Sequence, residues 1–454
     1  MSAPSFIKRL IRSVVTPNER AQAERHAKRV IEIWHALLSE RGEVSGAMLA
    51  REALTAYLDL PETALAPFFD RLAHEFAPDA AALLAACDAY RAQPSPANLA
   101  RLQRAAEPPR QELFRRLNQA SGGTPALVEA RRNVLSALAD HPEWKTIDSD
   151  LAHLFTSWFN RGFLTLERVD WHTPAIVLEK LIKYEAVHEI SGWPDLHRRL
   201  ESDRRCFAFF HPALPDEPLI FIEVALVKGM SNAIQPLLDV NTPVGDADTA
   251  DTAVFYSITN CQEGLRGISF GNLLIKQVAQ KLGEEFPRIR TFATLSPIPG
   301  FRYWLASVEG SLDATAETQA ALAAMRDPAN TEWMRSEQAA ESVRKALLPL
   351  CAYYLLYATR NDEPADTVAR FHLGNGARVE RLNWLADTSP RGLQRSAGLM
   401  VNYLYRLDQV EENHEIYVKE HRAVASHEMR RHARECALAQ TVRSHDRKNQ
   451  MAMK

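Results

Sequence analysis

Shortages say as much about this 454-residue chain as its contents do. Cysteine is scarce: Cys87, Cys206, Cys261, Cys351 and Cys436 are scattered, with no C-x-x-C pair. That spacing argues against a disulfide framework and a zinc ribbon. It fits a reduced compartment with thiols packed as small apolar groups. No charge sign is in excess. A net charge of −3 points, for the composition as a whole, to neither nucleic acid nor an anionic membrane surface as partner. Long apolar runs are missing, so nothing approaches the roughly 20 residues of a membrane span. There is no repeat of fixed period. A true H-E-x-x-H is missing too. His427 to His432 (HEMRRH) has one residue too many, and on a helix i and i+5 lie about 140° apart, so both rings cannot share a metal. No metal site is expected there.

What is present divides near residue 165. Phe6–Val15 (FIKRLIRSVV) is cationic and amphipathic; with Glu19 and Glu24 close behind, it reads better as an ordinary first helix or a loose tail than as a transit segment. Arg20–Glu40 sets Val30, Ile33, Trp34, Leu37 and Leu38 on one helical face. Glu43–Leu60 and a segment opened by Pro61 follow, then short pieces divided by Pro94, Pro96, Pro108 and Pro109. Asp148–Arg161 carries Leu151, Leu154, Phe155, Trp158 and Phe159 on a broad apolar side. Residues 1–165 are therefore expected to be an all-helical domain, and 166–454 a second domain. In that second part Thr173–Pro174 opens a helix, and Arg205–Phe210 and Pro218–Lys228 read as strands joined as a hairpin. Thr315–Arg326 and Thr331–Thr359 read as helices, and Thr367–Leu373 as another strand. The whole is α+β, with a mixed sheet in the C-terminal part. The tail from His427 carries seven Lys or Arg against three acidic residues and reads as a solvated, frayed helix.

Between them lies Phe255–Phe301, which reads as a βαβ unit. Val254–Thr259 is a β-branched and aromatic strand. Gly264, Gly267 and Gly271 mark the turn, Asn272–Leu282 has one apolar helical face, and Thr291–Leu295 is the next strand. Backbone N–H groups at such a turn suit a phosphate. The alternative is a glycine-rich turn that binds nothing. Beyond it, Pro297 and Pro299 stiffen the loop LSPIPGF and hold Ser296 at a strand end. Ser296 is either a site residue or a cap for a backbone group. A nucleophile elbow is excluded, because its oxyanion hole uses the N–H of the residue after the serine, and Pro297 has none. His372, before the Asn375-Gly376 turn signal, is either a proton donor near neutral pH or a satisfied strand-end histidine.

The turn Arg266-Gly267-Ile268-Ser269-Phe270-Gly271 resembles the R/Q-x-x-G-x-G/A motif of the GNAT superfamily, with Ser269 where that motif has glycine. With SPIPGF, FHLGNGA, Asn383-Trp384-Leu385-Ala386-Asp387 and Gly398–Tyr405 (GLMVNYLY) after it, and Gly162–Val169 (GFLTLERV) and Ile234-Gln235 before it, the stretch from about Trp158 to about Tyr417 resembles the malonyl-CoA decarboxylase family. The resemblance implies a helical oligomerisation domain and a GNAT-like mixed α/β catalytic domain. It implies decarboxylation of malonyl-CoA to acetyl-CoA and carbon dioxide through an enolate. Its catalytic serine falls on Ser296, its catalytic histidine on His372, and Tyr405 matches a tyrosine near the site. Its coenzyme A turn falls on Arg266, Gly267, Ile268, Ser269, Phe270, Gly271 and Asn272. No cofactor is expected, because the thioester is its own electron sink. Malonyl-CoA is the expected partner, with no nucleic acid or membrane, in a homodimer or homotetramer. The family's peroxisomal ending, Ser-Lys-Leu, has no counterpart in Met-Ala-Met-Lys, so the expected location is cytoplasmic. The competing expectations are a GNAT-type acyltransferase acting from acyl-CoA and a non-enzymatic acyl-CoA sensor.

Overall fold

The computed structural model describes residues 16–40, 42–268, 274–312 and 314–436. Phe6–Val15, four of the seven turn residues (Ser269, Phe270, Gly271 and Asn272) and the tail beyond 436 lie outside these. The chain forms two compact units. One comprises Met1–Leu164, His211–Pro215 and Gln262–Phe270; the other comprises Thr165–Phe210, Asp216–Cys261 and Gly271–Lys454. Among the described residues, no helix is long and apolar enough to cross a membrane.

The first unit is helical. Its opening helix, Pro17–Ser39, starts in a capping box: Thr16 accepts from the Glu19 N–H, and the Glu19 carboxylate returns to the Thr16 N–H. Ala23, Ala27, Val30, Ile31, Trp34 and Leu37 recur at helical spacing and are buried. Trp34 meets Phe68 edge-on at 4.9 Å, and its indole N–H donates to the Ala53 carbonyl at 3.2 Å.

The second unit is built on an eight-stranded mixed sheet. Its strands are β1 (Thr165–Val169), β2 (Arg204–Phe210), β3 (Ile220–Val227), β4 (Thr252–Asn260), β5 (Thr291–Thr294), β6 (Ser296–Pro297), β9 (Arg378–Asn383) and β10 (Met400–Tyr405). β7 (Thr359–Arg360) and β8 (Glu363–Pro364) form a separate small hairpin. The order is β1-β2-β3-β4-β5-β10-β6, with β9 also on β10. Among the strands of the described residues, β4 and β5 are the pair that runs in parallel. They are the two strands of the expected βαβ unit, and the helix Leu274–Glu285 crosses between them with Leu274, Ile275, Val278, Ala279 and Leu282 buried. The α+β class and the mixed C-terminal sheet are thus both present. The helix Ala175–Tyr184 covers part of the sheet, packing Val177, Leu178 and Leu181 against Cys206, Ala208 and Phe221.

One expected element is wrong in kind. Thr367–Leu373 reads as a strand from its β-branched and aromatic residues, yet Thr367–Gly374 is a helix. The deciding residue is Asp366. Its carboxylate accepts from the N–H groups of Val368 and Ala369 at 3.0 and 2.9 Å, which is an N-cap. Ala369, His372 and Leu373, spaced i, i+3, i+4, form the buried face. His372 therefore sits in the last turn of a helix, its carbonyl accepting from Asn375 and Ala377. The turn that follows needs glycine twice over. Gly376 has φ +79°, and a Cβ there would meet the Val410 carbonyl oxygen at 2.0 Å.

We predict that Gly376→Ala destabilises the protein by about 3 kcal/mol or more, through strain and backbone collision together. Gly46→Ala, inside a helix where an added Cβ meets nothing, should stabilise by about 0.5–1 kcal/mol. Urea denaturation of both variants tests this; equal midpoints would refute the conformational account.

Candidate active site

The site is organised by an interruption in the sheet. Strands β5 and β6 both pair with β10, but Leu295 separates them. At the gap, side chains replace the ladder. The Tyr403 N–H donates to Thr294 Oγ1 at 3.1 Å, and the Thr294 carbonyl accepts from Asn402 Nδ2 at 2.6 Å. Asn402 is fully buried and fixed at both ends of its amide. Its Nδ2 also reaches the Ser231 carbonyl, and its Oδ1 accepts from Asn383 Nδ2 and Arg381 Nε. A buried amide with every group used is a rigid bracket.

That bracket holds Thr294, and Thr294 holds Ser296. Ser296 Oγ lies 2.8 Å from Thr294 Oγ1, as donor to it, and 3.0 Å from His372 Nε2. His372 Nδ1 lies 2.8 Å from the Tyr405 hydroxyl. The histidine ring stacks on Tyr403, with centroids 4.4 Å apart and planes 25° apart. Three residues singled out from sequence, Ser296, His372 and Tyr405, are therefore brought into one hydrogen-bonded row. Thr294, Tyr403 and Asn402 complete it and were missed. Their signal was alternation: Thr294/Ser296 and Tyr403/Tyr405 are i, i+2 pairs, which on a strand share a face.

Burial sets the protonation states. Ser296, His372 and Tyr405 are 5%, 3% and 2% exposed. Loss of water disfavours a charged imidazole, and it pushes His372 down to about 3. The same loss pushes the Tyr405 hydroxyl well above its ordinary range. The row is uncharged at neutral pH. A neutral imidazole carries one N–H, so the row has two polarities. In one, Tyr405 donates to Nδ1 and Nε2 donates to Ser296. In the other, Ser296 turns its one hydroxyl hydrogen from Thr294 to Nε2, and Nδ1 donates to Tyr405. Passing between them moves the ring proton between Nε2 and Nδ1, with the two hydroxyls turning to match, and makes no charged ring.

Arg266, Gly267 and Ile268 are described residues of the other unit, while Ser269 to Asn272 are not described. Leu265 to Ile268 form a type II turn: Arg266 has φ −56° and ψ 129°, Gly267 has φ +80°, and Ile268 N–H donates to the Leu265 carbonyl at 3.0 Å. Among the described residues, one group has metal-ligand spacing: Asp70, His141 and Glu143. It lies in the helical unit and is held by its own contacts, His141 Nδ1 standing 3.5 and 3.3 Å from the two carboxylates.

Comparison with known proteins agrees on one family. The model of the malonyl-CoA decarboxylase C-terminal domain matches residues 162–446, and that of its N-terminal domain matches 76–159. The chain is 39% identical over 335 residues to the mitochondrial malonyl-CoA decarboxylase of Anser anser anser, covering 67% of this chain and 66% of that protein. It is 38% identical over 337 residues to that of Mus musculus, covering 69% and 68%. The match thus spans about two thirds of the length of these relatives. Among solved structures, malonyl-CoA decarboxylase from Rhodopseudomonas palustris is 50% identical with a TM-score of 0.85, over 89% of this chain and 99% of that one. The Agrobacterium vitis protein is 48% identical with a TM-score of 0.83, over 89% and 99%.

The depressed His372 value gives a signed prediction. Its folded pKa lies below the roughly 6.5 of an unfolded chain, so the unfolded state binds more protons below that pH. The stability that neutral His372 contributes is present above about pH 6.5 and is lost as pH falls toward 3, about 2 kcal/mol of it by pH 5. His372→Asn, compared with wild type by urea denaturation at pH 7 and pH 5, should show the smaller acid loss. Equal losses, or an imidazole ¹⁵N signal assigned to His372 that titrates near 6.5, would contradict the burial argument.

Proposed function

The chain belongs to the malonyl-CoA decarboxylase family, and we propose that it converts malonyl-CoA to acetyl-CoA and carbon dioxide in the site around Ser296 and His372. The observation that carries this reading is the continuous row Thr294–Ser296–His372–Tyr405, closed from water and uncharged. It suits a reaction that breaks one C–C bond and consumes one proton.

The balance is as follows. The bond between the α-carbon and the carboxylate carbon breaks, and carbon dioxide leaves. The electron pair moves into the thioester carbonyl, giving the enolate of acetyl-CoA. A proton is then placed on the carbon. The thioester is the electron sink, so on this reading no cofactor beyond the coenzyme A of the substrate takes part. Ser296 orients the malonyl carboxylate by hydrogen bonding. His372 supplies the proton from Nε2 as Tyr405 passes its own to Nδ1, and the tyrosine regains a proton from water before the next turnover, so the proton consumed comes from solvent. A substrate carboxylate beside the ring favours a more basic imidazole, which eases the transfer in the complex. Arg266 and the backbone that follows it, through Asn272, hold the coenzyme A phosphates. Acetyl-CoA formed from malonyl-CoA with no acceptor present would separate this reading from an acyltransferase.

Self-association of the helical unit belongs to the same reading. Its support is an apolar face on the helix Glu43–Leu58, where Val44, Met48 and Leu58 are 79%, 70% and 61% exposed. Faces of this kind mark contact surfaces.

Two predictions follow from these proposals. His372→Asn and Ser296→Ala should each lower kcat for carbon dioxide release about a hundredfold or more while KM moves only a few fold, because general acid–base groups act on the transition state. Tyr405→Phe keeps the ring in place and should cost about tenfold, the worth of one hydrogen bond. Near-wild-type turnover in His372→Asn would remove it from the mechanism. For the helical unit, Val44→Glu with Met48→Glu should lower the mass measured by light scattering; an unchanged mass would place the contact elsewhere.

A further inference from the structure

We infer that Arg131, far from the reacting residues in sequence, is a positioning residue for the coenzyme A phosphates: it fixes which way one peptide of the Leu265–Ile268 turn faces. The inference rests on the reading of that turn as the coenzyme A site.

Arg131 lies on the helix Gly123–Ala137 and is 4% exposed. Its Nη1 donates to two carbonyls of the turn segment, Gly264 at 2.8 Å and Arg266 at 3.0 Å. Its Nε donates to Asp148 Oδ1 at 2.8 Å, and the other oxygen of Asp148 accepts from Lys145 at 2.6 Å. The guanidinium is thus aimed by a buried carboxylate. The turn segment also lies tightly on this helix. A Cβ at Gly264 would stand 2.0 Å from the Val128 carbonyl oxygen, so only glycine allows the approach.

The peptide between Arg266 and Gly267 is the central one of a type II turn. Such a peptide has an alternative: rotated by about 180°, the turn becomes type I, at little cost elsewhere in the chain. In a trans peptide the N–H and the carbonyl point in opposite directions. With the Arg266 carbonyl on Arg131, the Gly267 N–H faces away from the guanidinium, and among the described residues it meets no acceptor. Flipped, the same peptide would present a carbonyl oxygen where the N–H stands, and an anion would be repelled instead of bound. Arg131 therefore selects the orientation that recognises phosphate, and it does so without touching the ligand.

The charge of Arg131 alone does not achieve this. A lysine keeps the pairing with Asp148 but lacks the planar fork that serves carboxylate and carbonyls together. Arg131→Lys is accordingly the test variant, and Arg131→Met with Asp148→Asn is a second that leaves no buried charge if the first folds poorly. The full-length protein should be assayed with malonyl-CoA and with malonyl-pantetheine, which lacks the nucleotide and its pyrophosphate. For malonyl-CoA, KM should rise about tenfold or more, the worth of a hydrogen bond to a charged group, with kcat little changed. For malonyl-pantetheine, kcat/KM should equal the wild-type value. Calorimetric binding of coenzyme A should weaken by the same factor as KM. Equal losses on both substrates would reduce Arg131 to a structural residue and overturn the inference, as would an unchanged affinity for coenzyme A. If wild type binds coenzyme A but releases no carbon dioxide, the decarboxylase reading fails, and calorimetry still decides the role of Arg131.

Discussion

The exchange of backbone for side-chain hydrogen bonds at Thr294 is the constraint on which the site depends. In an uninterrupted ladder, Thr294 and Tyr403 would pair through their main chains. Here Thr294 Oγ1 takes the Tyr403 N–H, and the Asn402 amide takes the Thr294 carbonyl. A valine at 294 could keep the strand but not the exchange. Each group that leaves the ladder finds a new partner, as buried polar groups must. The exchange lets β5 end and the chain turn at Leu295. Ser296 then enters a short second strand, with its hydroxyl shared between Thr294 and His372. On the proposed reading the sheet is interrupted where the chemistry is, and Asn402 maintains the interruption.

Neutrality is the second consequence. A site of this burial could have held a charged pair, at a large desolvation cost. It holds instead four groups that are uncharged at neutral pH, with His372 pushed down to about 3. None of the four needs a counter-ion. Decarboxylation carries a negative charge from the carboxylate to the thioester oxygen. On the proposed reading, surroundings that solvate the carboxylate poorly favour the step, and the proton follows along a row already in contact.

Local signals accounted for much of this. The βαβ unit was legible because the parallel pair needs a crossover helix, and the apolar spacing of Leu274, Val278 and Leu282 marked it. Ser296 was legible because Pro297 and Pro299 stiffen its loop. His372 was legible as a residue but not as a helix residue. Thr367, Val368 and Phe371 look like a strand, and the outcome turned on Asp366, whose capping role is a single carboxylate in an unmarked position. Asn402 and Arg131 were not legible, for one shared reason. Each acts through a partner more than 100 residues away in sequence, and local pattern carries no information about such pairs.

The GNAT-type turn was also the place where the sequence departed from its motif, with Ser269 standing for glycine. Glycine serves phosphate binding in two ways: it permits an unusual backbone angle, and it lets backbone come close. In the described part of this turn both needs are met elsewhere. Gly267 takes the positive φ, and Gly264 takes the close approach, toward Val128 and not toward a ligand. Arg131 supplies what no glycine can, a preference between two orientations of one peptide. A motif written as a string of small residues therefore records where side chains must be absent. On the proposed reading, which way the Arg266–Gly267 peptide faces is decided by a residue outside the motif.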